Sequence, residues 1–241
     1  MSFNMKVFRG FSQNMLKLLA AFSMLVDHIG AELFPDITAL RIIGRIAFPV
    51  FAYFIWEGSR YTHNKLRYLL QIFLLGILCA IGYYIYSGKI YANVLITFSL
   101  SICMLYSMRF FIEKTTCGKI FSYISLILIL ISVFLCYIVE HCLSVDYTFY
   151  GVLVPIFIEL SDMIPQNKIP PKYMHLLGFS IGLLLLSIRS GGIRYWCLMS
   201  IPLLIFYNET RGKFKMKYFF YWFYPAHLLI IGVISRFIFN N

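Results

Sequence analysis

Met15-Leu-Lys-Leu-Leu-Ala-Ala-Phe-Ser-Met-Leu-Val-Asp-His-Ile-Gly30 decides the fold. The string opens an apolar stretch over residues 15–34, near the roughly 20 residues that cross a hydrocarbon layer of about 30 Å. Its far half carries an adjacent carboxylate and imidazole, Asp27 and His28. An ionisable pair inside a membrane helix costs several kcal/mol unless it is partnered or faces a water-filled cavity, so it marks a candidate functional site. The same pairing makes a general base near neutral pH. The plainer reading puts both residues at a helix end among headgroups. Lys6, Arg9 and Lys17 give the segment the look of a signal peptide. It lacks a small-residue cleavage site and contains Asp27 and His28, so it reads as a retained helix.

Composition extends this reading to the whole chain. Of 241 residues, 61% are hydrophobic and 19% aromatic, against 13% charged; the mean hydropathy is +0.80. A soluble domain of this size could not keep such a surface wet. The chain is expected to be one all-α domain, residues 1–241, forming a polytopic transmembrane bundle. Its net charge of +11 is scattered between apolar runs, which excludes nucleic acid as the partner and matches the Lys and Arg excess of cytoplasmic loops. Cys79, Cys103, Cys117, Cys136, Cys142 and Cys197 have no metal-type spacing and read as small core hydrophobes.

About nine spans are expected, over residues 15–34, 40–56, 66–86, 93–112, 119–139, 149–160, 173–188, 193–207 and 218–239. The sixth is short enough to need burial among neighbours. Arg189-Ser-Gly-Gly-Ile-Arg194 supplies a tight turn between the seventh and eighth. Alternate loops hold Arg60, Lys65 and Arg67; Arg109, Lys114 and Lys119; Lys168 and Lys172; and Arg211, Lys213, Lys215 and Lys217. The opposite loops hold only Lys89, Arg189, Arg194 and Arg236, which orients the chain N-in and C-out. No internal repeat is visible, against an inverted-repeat transporter.

The polar residues inside the spans are the candidates for chemistry. His28 lies about 16 Å along the first helix from Lys17. In the second span Arg45 is the natural partner of Asp27, Arg41 is expected to snorkel to the outer interface, and Pro49 to kink the helix. Glu57 reads as structural, paired with a basic loop residue, and Glu159 as a possible cap. Arg211, Lys213 and Lys217 around Gly212 suit a phosphate-binding loop, or an ordinary positive-inside loop. His227, two residues after Pro225, is expected to line a polar cavity beside a helix break.

Several strings together resemble the TraX family of bacterial membrane proteins: Met24-x-x-Asp27-His28-x-Gly30, Gly44-Arg45-Ile-Ala-Phe-Pro49, Glu57-Gly58, Asn93, Asp146-Tyr147 through Gly151, Tyr207-Asn208 with Arg211-Gly212, and Phe220-Tyr-x-Phe-Tyr-Pro-x-His227. The chain departs at Glu209-Thr210, where a glycine is expected soon after Tyr-Asn. The resemblance implies a relation to membrane acyltransferases that modify glycans, whose first helix carries an Arg and, after ten residues, a His. Lys17 and His28 stand at that spacing, and lysine lacks arginine's bidentate fork.

The resemblance implies acetyl-CoA as donor, no metal, and a bacterial cytoplasmic membrane. Lys17, Arg211, Lys213 and Lys217 are then the cations for the donor's phosphates, with Tyr224 and His227 assigned to the same donor site. His28, oriented by Asp27, is the base, and Arg45 or Asn93 the oxyanion donor. Direct transfer and an acetyl-His intermediate both remain open. The acceptor is a pilin-like peptide N-terminus or an envelope glycan. Two other classes compete: a transporter or flippase with Asp27, Arg45 and His227 as a proton relay, and a structural partner in pilus or envelope assembly.

Overall fold

The computed structural model describes residues 10–114, 119–165 and 169–239. Lys6, Arg9, Cys117 and Lys168 lie outside them, as do the side chains of Lys114, Lys119 and Lys217. The described chain is a bundle of α1 (Gln13–Glu32), α2 (Thr38–Gly44), α3 (Ala47–Tyr61), α4 (Lys65–Ser87), α5 (Val94–Lys114), α6 (Lys119–Cys142), α7 (Phe149–Asp162), α8 (Pro171–Ser190), a 3-10 segment (Gly192–Met199), α9 (Ser200–Ile205) and α10 (Lys217–Phe239). Five stretches are long and apolar enough to cross a membrane: Thr38–Tyr61, Lys65–Ser87, Val94–Glu113, Pro171–Ser190 and Tyr218–Ile238. The remaining expected spans are also helical, although the eighth is split into the 3-10 segment and α9.

Local chemistry explains the boundaries. The Ser12 hydroxyl caps α1 by accepting from the Met15 N–H, and Asn64 does the same for Arg67 at the start of α4. Gly191 and Gly192 turn the chain after α8 with φ of +64° and +56°, a region glycine enters without strain. The five described cysteines are free, with Cys136 and Cys197 buried.

Three expectations change. The second span breaks at Arg45-Ile46, where Arg45 N–H bonds the Ile42 carbonyl and Ile46 N–H the Ile43 carbonyl, so α2 ends in a tight i→i−3 turn. The kink expected at Pro49 takes the form of this break one turn earlier: Pro49 sits in the first turn of α3 and has no N–H to offer the Arg45 carbonyl. The helix break expected near His227 is absent, because α10 runs through Pro225. A two-residue parallel pair, β1 (Tyr91–Ala92) with β2 (Ser144–Val145), adds a small exception to the all-α class.

The core is built around α3, whose Val50, Ala52, Tyr53 and Phe54 are buried against α1, α5 and α7. The short α7 is covered by α8 at a close approach: a Cβ on Gly178 would lie 2.2 Å from the Phe157 carbonyl oxygen. In contrast, α4, α6 and α10 present large exposed apolar faces, including Ile85, Phe134 and Leu229. Such faces suit hydrocarbon rather than water.

Candidate functional site

Asp27 anchors one side of the site. Arg45 donates Nη2 to its Oδ1 at 2.6 Å, and Arg41 approaches Oδ2 at 2.9 Å and donates to the Asp27 carbonyl at 3.0 Å. Arg41 and Arg45 are four residues apart, so the end of α2 turns both toward α1. The expected snorkelling of Arg41 is therefore corrected: the Asp27 carboxylate recruits it. Gly44 makes this possible, since a Cβ there would lie 2.2 Å from both Cβ and Oδ1 of Asp27.

With both carboxylate oxygens on arginines, Asp27 does not orient His28. Neighbours on a helix point about 100° apart, so the adjacent pair diverges. His28 instead meets His227 of α10, Nδ1 to Nε2 at 2.8 Å, with the rings end to end and nearly coplanar, their centres 5.0 Å apart and their planes within 10°. His227 Nδ1 lies 2.7 Å from the Phe223 carbonyl oxygen. A carbonyl only accepts, which fixes the tautomers of the neutral pair. His227 donates from Nδ1 and accepts at Nε2, so His28 donates from Nδ1 and keeps its lone pair on Nε2. Phe223 stacks on His227 at 4.9 Å.

His28 lines a cavity of about 750 Å³ together with Asp27, Arg41, Tyr91, Asn93, Asp146 and Tyr224. Tyr224 is buried and meets His227 edge-on at 5.6 Å. Asn93 uses both ends of its amide on backbone, Nδ2 donating to the Gly76 carbonyl at 2.8 Å and Oδ1 accepting from Leu95 N–H at 3.0 Å. It clamps α4 to the start of α5, and its second Nδ2 hydrogen is not taken up by these two bonds. The β1–β2 pair then carries Tyr91 and Asp146 to the cavity, and the Tyr91 hydroxyl bonds the Asp146 carboxylate. Burial pushes the Asp146 carboxyl up from its ordinary value, against the pull of Arg45 and Arg194. Arg194 also donates to the Asp146 carbonyl at 3.1 Å.

The donor-site candidates divide. Tyr224 and His227 lie beside His28, apart from the cations. Lys17, Arg211 and Lys213 lie at the other end of α1. There Phe11 and Tyr207 form an isolated bridge, Gln13 N–H bonds the Thr210 carbonyl at 2.8 Å, and Asn14 Nδ2 donates to the Phe214 carbonyl at 2.6 Å. The half-buried Lys17 has its ammonium 5.1 Å from the Phe54 ring centre and within the field of Glu57 and Arg211. Arg211 and Lys213 are exposed. Lys217 begins α10, its side chain outside the described residues. Glu57 is held by Gln13 Nε2 at 2.7 Å and the Tyr207 hydroxyl at 3.0 Å, rather than by a basic loop residue.

The departure at Glu209 has a backbone consequence, for this residue takes φ +58°. Most side chains pay about 1–2 kcal/mol for that region. Glu209→Gly is expected to stabilise by about 0.5–1 kcal/mol after glycine's larger unfolded-state entropy is offset. A rise of about 2 °C in apparent melting temperature checks it; a fall would mean that the glutamate side chain contributes more than its backbone costs.

A second polar cluster lies away from the cavity. Glu159 accepts from Arg109 at 2.8 and 2.6 Å and from Trp56 Nε1 at 2.7 Å, while Asp162 pairs with Arg60 and, at 2.6 Å, with His175. The pairing joins α3, α5, α7 and α8, so Glu159 is a tertiary tie rather than a cap, and Arg109 is drawn inside rather than left in a loop. Among the described residues no group of three His, Cys, Asp or Glu side chains could hold a metal ion.

Comparison with known proteins follows the same strings. A family model described as "TraX protein" matches residues 12–235. Over 97 residues the chain is 38% identical to an uncharacterized protein of Rickettsia prowazekii (strain Madrid E), a match covering 40% of this chain and 38% of that one. Thus it spans well under half of that relative. It is 26% identical over 253 residues to "Probable fimbrial assembly protein FimC, serogroup H1" of Dichelobacter nodosus, covering 95% of this chain and 97% of the relative. No solved structure matches the chain.

Proposed function

The chain belongs to the TraX family, and from that premise we propose that it is an integral membrane acetyltransferase moving an acetyl group from cytosolic acetyl-CoA to an amine or hydroxyl acceptor. One observation carries the reading: the Phe223 carbonyl, His227 and His28 form a directed relay that leaves an unprotonated Nε2 on a ring lining the cavity. Such a nitrogen takes the proton of an attacking O–H or N–H as the acceptor's lone pair adds to the thioester carbonyl. The tetrahedral oxyanion then collapses and expels the CoA thiolate, which recovers the proton from His28. Arg41 lines the cavity and is the cation available to the oxyanion, whereas Arg45 stands behind Asp27.

The loop asymmetry of Lys and Arg supports a nine-crossing, N-in, C-out arrangement in a bacterial cytoplasmic membrane. Lys17, Arg211 and Lys213 then face the cytosol, where an anionic donor arrives. His28 lies about 16 Å further across, in the half suited to an acceptor presented outside, such as a peptide N-terminus or an envelope glycan. A second reading, a non-enzymatic factor in fimbrial assembly, is favoured by the full-length likeness to the Dichelobacter protein.

Titration of the purified protein with acetyl-CoA separates them. Saturable binding is expected, weakened at least about tenfold in Arg211→Ala/Lys213→Ala, since each lost charge-assisted phosphate contact is worth roughly 1.5–3 kcal/mol. Folded wild-type protein that binds neither CoA nor acetyl-CoA would sink the enzyme and leave the assembly factor.

A further inference from the structure

The cavity has two chemically different ends. Around His28, Arg41 and Asp146 it is polar. Its other wall is Leu78 and Ile85 of α4 facing Leu229 and Val233 of α10, and these lining residues are 57%, 76%, 67% and 47% exposed. All four lie in stretches long and apolar enough to cross a membrane. A cavity lined by side chains that are also on the outside is a cavity with a side opening, and here that opening faces hydrocarbon.

Both helices run in the same direction from the Lys17 end of the bundle, so their levels can be compared. At the far end the opening is closed: the Arg236 guanidinium lies 5.9 Å from the Tyr86 ring centre, and a Cβ on Gly232 would touch that ring at 3.7 Å. One turn before Tyr86, Gly82 also lines the cavity, and a Cβ there would meet nothing within 4 Å. The gap is therefore bridged on the side toward water and empty on the side toward the membrane interior. An α-helix is about 10 Å across with its side chains, too wide to pass between helices that touch one turn away. A single flexible hydrocarbon chain is not.

We propose that this slit between α4 and α10 is a binding site for one acyl or polyprenyl chain, entered sideways from the bilayer, with the polar head of the same molecule held at the His28 end. Resting on the acetyl-transfer reading, this makes the acceptor an amphipathic, lipid-borne hydroxyl or amine rather than a water-soluble one. Apolar contact along the slit supplies affinity roughly in proportion to the area removed from its surroundings. Arg41 and Asp146 supply one cation and one carboxylate for the head.

The test uses the full-length protein in phospholipid nanodiscs containing a fatty acid that carries a photoactivatable diazirine on its chain. Crosslinked residues are mapped by mass spectrometry. Label is expected on Cys79 and Leu228 inside the slit, and Gly82→Leu, whose side chain grows into empty space, should reduce it several-fold. Label on the exposed α6 face at Leu130 and Phe134 should stay unchanged in the same sample, which shows that the variant is folded and inserted. Gly82→Ala should behave as wild type. Slit labelling that is equal in wild type and Gly82→Leu, or absent while α6 is labelled, overturns the proposal, as does capture of a hydrophobic helical peptide in place of the chain. Acetyl-CoA binding, measured separately, keeps the two ideas apart: slit labelling without CoA binding leaves the lipid site standing and removes the acetyltransferase, and the reverse result removes only the lipid site.

Discussion

Asp27→Ala is expected to destabilise the protein by about 3–5 kcal/mol, the range for stripping one partner from a buried ion pair. The Arg45 side chain is 6% exposed and that of Asp27 14%. Without the carboxylate, Arg41 loses its ion pair, and the buried Arg45 keeps its bond to the Arg41 carbonyl and only the more distant attraction of Asp146. For a chain of this length the loss corresponds to a fall of about 10 °C in apparent melting temperature in detergent. The double variant Asp27→Leu/Arg45→Met should recover much of it, because matched apolar groups replace a buried pair at little cost. An unchanged melting temperature in Asp27→Ala would show that the carboxylate does not hold the α1–α2 corner, and the account of Gly44 as the space for it would go too.

His28→Ala is expected to lower acetyl transfer by about 10²–10⁴-fold, the span for removing a positioned general base, while the protein stays folded. The measurement is incorporation from radiolabelled acetyl-CoA into membranes of cells expressing each variant. His227 acts through His28 and is a positioning residue. His227→Ala should therefore lower transfer less, by leaving the His28 tautomer unset, and His227→Gln should restore part of it, since the amide oxygen can accept from His28 Nδ1. Transfer by His28→Ala at the wild-type rate refutes the mechanism. Equal losses in His227→Ala and His227→Gln would instead make His227 a packing residue.

These two sites differ in how far the chain itself announces them. Asp27 with Arg45 could be anticipated, because an unpaired charge in a membrane-length apolar run has few ways to be tolerated, and a second charge of opposite sign near the same end of the next span is one of them. Arg41 reads as a snorkelling residue for a local reason, since it stands one turn nearer the helix end, where snorkelling is ordinary; its ion pair with Asp27 depends on how α2 packs on α1. The His28–His227 pair bridges 199 positions, and periodicity within either helix cannot say that those two faces meet. Asn93 divides the same way: its polar side chain at the mouth of a span is legible in the sequence, whereas its bond to the Gly76 carbonyl depends on how α4 packs beside α5.

What the sequence determined by itself is the class of environment. A chain that is 61% hydrophobic and 13% charged can satisfy its backbone only by folding into helices that meet apolar surroundings, and its few ionisable residues are thereby marked. Which of them meet was decided by tertiary structure alone. The packing of α10 on α1 sets the hydrogen-bond chain from His28 through His227 to the Phe223 carbonyl, and the two-residue β pair brings Asp146 over the same cavity. The gap between α4 and α10 depends on where two glycines fall when separate helices pack. Contacts of that kind arise from side-chain volume and helix crossing, which no one-dimensional pattern encodes.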